Sequence, residues 1–392
     1  MTSDSLYHGR EQSQVKHLIL QRYLERFAFI IGSWSDSITY IDCFSGPWES
    51  RSENYEDTSF VIAIGELRKA RDQLAVNRPP VELRCCFIEE DKAAFEKLNK
   101  FAATVNDIEV KTLNGKLEEC IGEIVKFVKQ SKRKTFPFVF VDPKGWTGFG
   151  LNVIKPLLTM QPAEVLINFM TEHIRRFIDW PDESNQQGFV ELFGTDSFRQ
   201  TVSGLTGMDR DDAFVEQYMT VVQRAGNYRF ISCAIVLKPG TDRSHFHLVY
   251  LTRDPKGIEV FKDAERKSME EMETVRAEAQ QRHRVSKKGQ QELFPAEEVH
   301  NSTYFESLRD RYCSLARKQL EDQLCNQTRV PYDDAWVAAL RMPLVWESDL
   351  KEWIKVWRAN GTIRLDGLAE GKRSPKRGDG HTLVWLPPNP SL

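Results

Sequence analysis

The apolar and polar positions of the chain alternate between two periods. From Gln14 to Ile31, Leu18, Tyr23, Leu24 and Phe27 recur at helical spacing, which predicts an amphipathic helix. A short β-rich run, Ile38 to Asp42, follows and is broken by Ser45-Gly46-Pro47. The pattern then repeats four times. Helical periods at 60–74, 92–102, 116–129 and 151–158 lead in turn to strand-like runs at 82–89, 108–113, 136–142 and 164–169. Strands alternating with helices at this spacing call for βαβ units and a mainly parallel sheet. After a mostly helical stretch from Asp182 to Arg224, two further runs, Tyr228 to Leu237 and His245 to Leu251, flank the turn-rich Lys238-Pro239-Gly240-Thr241-Asp242-Arg243. That connection suits a hairpin. The expected fold is α/β and Rossmann-like: a mostly parallel seven-stranded sheet ending in a hairpin.

Beyond residue 262 the pattern is dominated by charge. Glu265, Arg266, Lys267, Glu270, Glu271, Glu273, Arg276 and Glu278 read as a solvated helix ending in Arg282, Arg284, Lys287 and Lys288. We therefore expect an α/β domain over 1–265, a charged helical linker over 266–327 and a small domain over 328–392. In the last, a helix over 347–360 is capped by Ser348, buries Leu350, Trp353, Ile354 and Trp357 on one face, and stops at Gly361. A strand (362–365), a basic turn (372–378) and a second strand (381–386) complete the order of a winged helix. Its wing offers Lys372, Arg373, Lys376 and Arg377 as candidate nucleic-acid contacts.

Composition narrows the function. The 392 residues carry 54 Lys and Arg against 57 Asp and Glu. A net charge of −3 excludes a globally basic nucleic-acid glove and leaves a local patch open. The 7 cysteines are scattered without a C-x-x-C pair, which argues against a disulfide framework or zinc ribbon. No apolar run reaches the roughly 18 residues of a membrane span, and Met1 to Arg10 is too polar for a signal peptide. An intracellular, cytoplasmic protein is expected.

Ligands of open α/β sheets bind beyond the carboxyl ends of strands, which gives four segments weight. The first strand ends in Asp42-Cys43-Phe44-Ser45-Gly46-Pro47, a small-residue turn able to approach a ligand closely. The second ends in Glu89, whose paired acceptors suit the two hydroxyls of a ribose. The third ends in Asn114-Gly115, placed for an adenine edge. The fourth ends in Asp142-Pro143-Lys144-Gly145-Trp146, opposite, where an acceptor would enter. Thr171-Glu172-His173 could line the same cleft, and Lys16-His17 belongs to a helix packed over the sheet. His245 and His247 share one strand face but lack a third metal ligand nearby, so a structural role is expected and no metal site is assigned.

These segments together resemble the three-Cys-motif partner proteins, a bacterial methyltransferase-like family. The matching stretches are Lys16-His17 with Ile19-Leu20 and Tyr23-Leu24; Tyr40 to Pro47; Val141 to Phe149; Glu164 to Met170; and Phe246 to Tyr250 followed by Lys262-Asp263-Ala264. The resemblance implies a class I S-adenosylmethionine methyltransferase-type fold in a mobile-element or phage-related context. It also implies a neighbouring radical-SAM-like partner that carries the three-cysteine motif. Asp42, Phe44, Ser45, Gly46, Glu89, Asn114 and Gly115 would hold S-adenosylmethionine, and Asp142, Pro143 and Lys144 would serve the acceptor. The chain departs from the pattern at Cys43 and Trp48, where glycine is common, and at Lys144 and Gly145, which replace the second proline and the aromatic ring of D-P-P-Y-type adenine methyltransferases. Two readings stay open: a transferase acting on nucleic acid, or a non-catalytic adaptor that recognises nucleic acid for the three-cysteine partner. The transferase reading requires that Cys43 or Trp48 does not plug the hollow beside Ser45-Gly46 and that Glu89 faces it.

Overall fold

The computed structural model describes residues 6–47, 50–288, 295–296, 300, 302–368, 372 and 374–386. Trp48 and Arg373 lie outside them. Helix α1 (Glu11–Gly32) buries Val15, Ile19, Leu20, Tyr23, Leu24, Phe27 and Ile31, a single stripe that has to find an apolar sheet face. The strands provide it. β1 (Ser37–Asp42), β2 (Glu82–Glu89), β4 (Thr135–Val141) and β5 (Glu164–Phe169) are buried nearly throughout, the pattern of a parallel sheet covered on both faces. Helices α2 (Ser59–Leu74), α3 (Lys92–Ala102), α4 (Leu117–Lys129) and α5 (Leu151–Leu158) make the crossovers, and β3 (Glu109–Asn114) forms one edge. Asp91 starts α3 by accepting the Ala94 amide at 2.8 Å.

After β5 come α6 (Thr171–Phe177), α7 (Glu183–Phe193), α8 (Phe198–Thr201) and α9 (Gly207–Gly226), then β6 (Phe230–Leu237) and β7 (Ser244–Thr252). The strand order is β3-β2-β1-β4-β5-β7-β6, with β1 parallel to β2 and β4, and β7 antiparallel to β5. This order with a reversed β7 is the Rossmann-like topology of class I methyltransferases. At the amino edge of β5, Glu164 is buried and accepts from Tyr23 and from Thr252 Oγ1 (2.8 Å), while the Tyr23 and Tyr250 hydroxyls meet at 2.5 Å.

The expected division at residue 265 falls inside helix α10 (Pro255–Lys288). The first compact unit runs on to His300, with residues 232–234 grouped with the second. The second unit is built of α11 (Thr303–Gln327), β8 (Arg329–Pro331), α12 (Tyr332–Leu340), α13 (Glu347–Ala359), β9 (Ile363–Asp366) and β10 (Thr382–Trp385). β10 lies between β8 and β9, antiparallel to both. Ser348 does not cap α13; Asp349 does, accepting the Trp346 amide at 2.8 Å. Gly361 ends that helix at φ +69°, as expected. Lys372 and Lys376 are exposed, and the Arg377 guanidinium stands 5.3 Å from the Trp336 ring. Among the described residues no helix is long and apolar enough to cross a membrane, and no group of three or more His, Cys, Asp or Glu is placed to hold a metal ion.

Candidate active site

The carboxyl ends of β1, β2, β3 and β4 open into one cleft of about 540 Å3. Its walls are Cys43 and Phe44 from β1, Ile88 to Lys92 from β2 and the start of α3, Gly115 and Leu117 after β3, and Pro143, Lys144, Gly145, Thr147 and Gly148 after β4. Phe44, Glu89, Gly115, Pro143 and Lys144 are thus brought together from four places in the sequence. Asp42, Ser45, Gly46, Asn114 and Asp142 stand outside this lining, and all but Gly46 organise it from behind.

Asp42 shows how. It is 0% exposed and accepts the Ser59 hydroxyl at 2.6 Å, the Phe44 amide at 3.2 Å and the Tyr40 hydroxyl at 3.3 Å. The carboxylate therefore pins the turn 42–44 to the first residue of α2. Burial raises its pKa to about 6, and the neighbouring Asp142 charge adds to the rise. Ser45 continues the brace, its hydroxyl on the Asp42 carbonyl and its amide on the Ile88 carbonyl, both at 2.8 Å. Asn114 binds back to the Glu89 carbonyl at 2.8 Å and the Glu90 carbonyl at 3.2 Å, so its amide fixes the end of β2. Gly46 is half-buried.

Glu89 is 4% exposed at the cleft wall, with Oε1 accepting the Asp91 amide at 2.6 Å. Gly115 sits at φ +152°, and a Cβ there would lie 3.0 Å from Glu119 Oε2, so glycine lets the chain turn under the cleft floor. Cys43 is buried in the wall, where burial pushes its thiol well above the usual range. Glu89, Glu90, Asp91 and Lys92 line the β2 side of the cleft, and Lys144 lines the β4 side.

Behind the β4 bank lies a second arrangement. Asp142 is 13% exposed in its side chain and engaged on both oxygens, by Lys16 Nζ at 2.5 Å and Asn168 Nδ2 at 2.7 Å. Arg10 reaches Asp57, which also accepts Ser50 and the Arg51 amide. Residues at the start of α1 thus hold the loop after β1 and the end of β4 together. Asn168 was not singled out from the sequence; its signal is a lone amide inside the apolar run of β5, where it is 2% exposed. Trp146 stacks on Phe189 at 5.2 Å and packs on Phe177 at 4.7 Å, so it is part of the helical layer and does not line the cleft. His247 meets Thr171 Oγ1 at 2.7 Å in the interior, a structural role, and burial lowers its pKa to about 3.

No family model matches the chain, and no curated protein matches its sequence. Solved structures with some likeness include a Legionella pneumophila protein of family DUF519, 8% identical over 61% of this chain and 85% of that one, TM-score 0.34. Another is the O-methyltransferase TomG of Streptomyces achromogenes in complex with SAM, 14% identical over 60% and 79%, TM-score 0.31. A third is loganic acid methyltransferase with SAH, 8% identical over 73% and 91%, TM-score 0.31.

Proposed function

We propose that the chain is an S-adenosylmethionine-dependent methyltransferase-like protein that acts on nucleic acid. The observation that carries this reading is the single cleft in which Glu89, Gly115 and the Cys43-Phe44 turn face Pro143 to Gly145 across the carboxyl edge of the sheet. Glu89 would take the ribose hydroxyls, the Cys43-Phe44 backbone and Gly115 would give close approach, and Lys144 would meet a carboxylate or phosphate. The cofactor supplies an electrophilic methyl group on sulfur. Asp42, Asn114 and Asp142 hold the strand ends that position the acceptor, so alignment does most of the work. The order α11-β8-α12-α13-β9-β10 supports a winged helix, whose Lys372, Arg373, Lys376 and Arg377 would hold the polynucleotide. The segments shared with the three-Cys-motif partner proteins support a radical-SAM-like three-cysteine partner in a mobile-element setting.

Calorimetric titration with S-adenosylmethionine tests the reading. Binding is expected, and Glu89→Ala should weaken it about 10- to 100-fold, the worth of one hydrogen bond to a charged group. A folded protein that gives no heat sinks the transferase. The second reading would then stand, favoured by the Cys43 side chain in the cleft wall: an adaptor that recognises nucleic acid for the three-cysteine partner, which does the chemistry.

A further inference from the structure

A methyl acceptor that starts as a hydroxyl must lose a proton, and the side chains beyond β5 offer a place for it. Glu172, in the first turn of α6, accepts Lys238 Nζ at 2.6 Å and engages His245 Nδ1. β7 runs antiparallel to β5 with His247 opposite Phe169, so His245 stands past the carboxyl end of β5, on the edge of the sheet where the cleft opens. His173 links the two places: its Nδ1 lies 3.6 Å from where a Cβ on Gly145 would sit, and Gly145 lines the cleft.

An imidazole whose Nδ1 is held by a carboxylate keeps its proton there and presents Nε2 as an acceptor. The groups facing His245 are Glu172 and His173 on α6, Lys238 after β6, and the Arg175–Asp211 pair (2.9 Å) beside Ser244. Burial, Lys238 and His173 lower the pKa of His245 against the pull of Glu172, so the ring is neutral at pH 7. Asp142 is placed otherwise, with Lys16 and Asn168 already on its two oxygens.

We propose that His245, oriented by Glu172, takes the proton of an acceptor hydroxyl, and that the substrate class is the ribose 2′-hydroxyl of RNA. This rests on the transferase reading above. The hydroxyl oxygen forms a bond to the methyl carbon, the carbon–sulfur bond breaks with its electron pair returning to sulfur, and the proton passes to His245 Nε2. The positive charge lost from sulfur reappears on the imidazolium. An exocyclic amine has its lone pair available and needs no such base. Along a polynucleotide the 2′-hydroxyl is the hydroxyl that separates RNA from DNA.

The test gives methyl-labelled S-adenosylmethionine to the full-length protein with total RNA and, separately, duplex DNA, followed by digestion to nucleosides. The label is expected in 2′-O-methylnucleosides. His245→Gln should lower kcat about 10²- to 10⁴-fold and leave KM within about threefold, the range for loss of a general base. Label on a base amine or in DNA, or no label despite cofactor heat, overturns this inference and leaves cofactor binding standing; no heat removes the reading beneath it. In the ligand-free protein, nitrogen NMR should show the His245 proton on Nδ1, a preference lost in Glu172→Gln. A proton found on Nε2 in the wild type also overturns it.

Discussion

At the scale of the residue, two buried carboxyls set the pH response of the fold. Asp42 is raised to about 6 and Glu164 to about 7, each chiefly by burial. A carboxyl raised in the folded state contributes most below its unfolded pKa, and that contribution is lost as pH rises through the folded value. Each therefore costs on the order of 3 kcal/mol at neutral pH. His247, lowered to about 3, works in the opposite sense, losing stability as pH falls below about 6.5. Urea midpoints measured from pH 4 to pH 8 should show Glu164→Gln flattening the decline between pH 4.5 and 7, with its largest gain over wild type at the alkaline end. An unchanged slope would remove Glu164 from this account. The strand-end motifs were legible in the sequence because small residues and carboxylates clustered after each β run. Which way those side chains turn was not. Asp42 is claimed by Ser59 and Asp142 by Lys16, partners far along the chain that no local spacing reveals.

At the scale of the element, the strands and crossover helices were legible within one or two residues, since buried parallel strands read as near-continuous apolar runs. Helix α11 falls in the stretch whose sequence reads as a charged linker, although Leu308, Tyr312, Ala316, Leu320 and Leu324 form a regular stripe on it. Charge on the remaining faces concealed that stripe. The first turn of α10 presses hard on the sheet: a Cβ on Gly257 would fall 2.3 Å from the Tyr250 hydroxyl and 2.9 Å from Glu164 Oε1. Gly257→Ala should consequently cost about 1–3 kcal/mol by overpacking, read as a lower thermal midpoint. A neutral result would mean that α10 can shift outward at no cost.

At the scale of the whole molecule, a near-zero net charge makes any polynucleotide contact local, and its energy is that of counterion release from a few phosphates. Exchanging Lys372 and Lys376 for Glu in the full chain should weaken single-stranded RNA binding and flatten its dependence on log salt by about 1.4, some 0.7 per phosphate lost. An identical slope would place the contact elsewhere. The amino-terminal helix has an effect out of proportion to its size. Arg10 and Lys16 lie within one short stretch, yet between them they moor both banks of the cleft, through Asp57 and Asp142. A protease that trimmed the chain past Lys16 would cut both moorings in one event. The ligand pocket would then slacken on two sides.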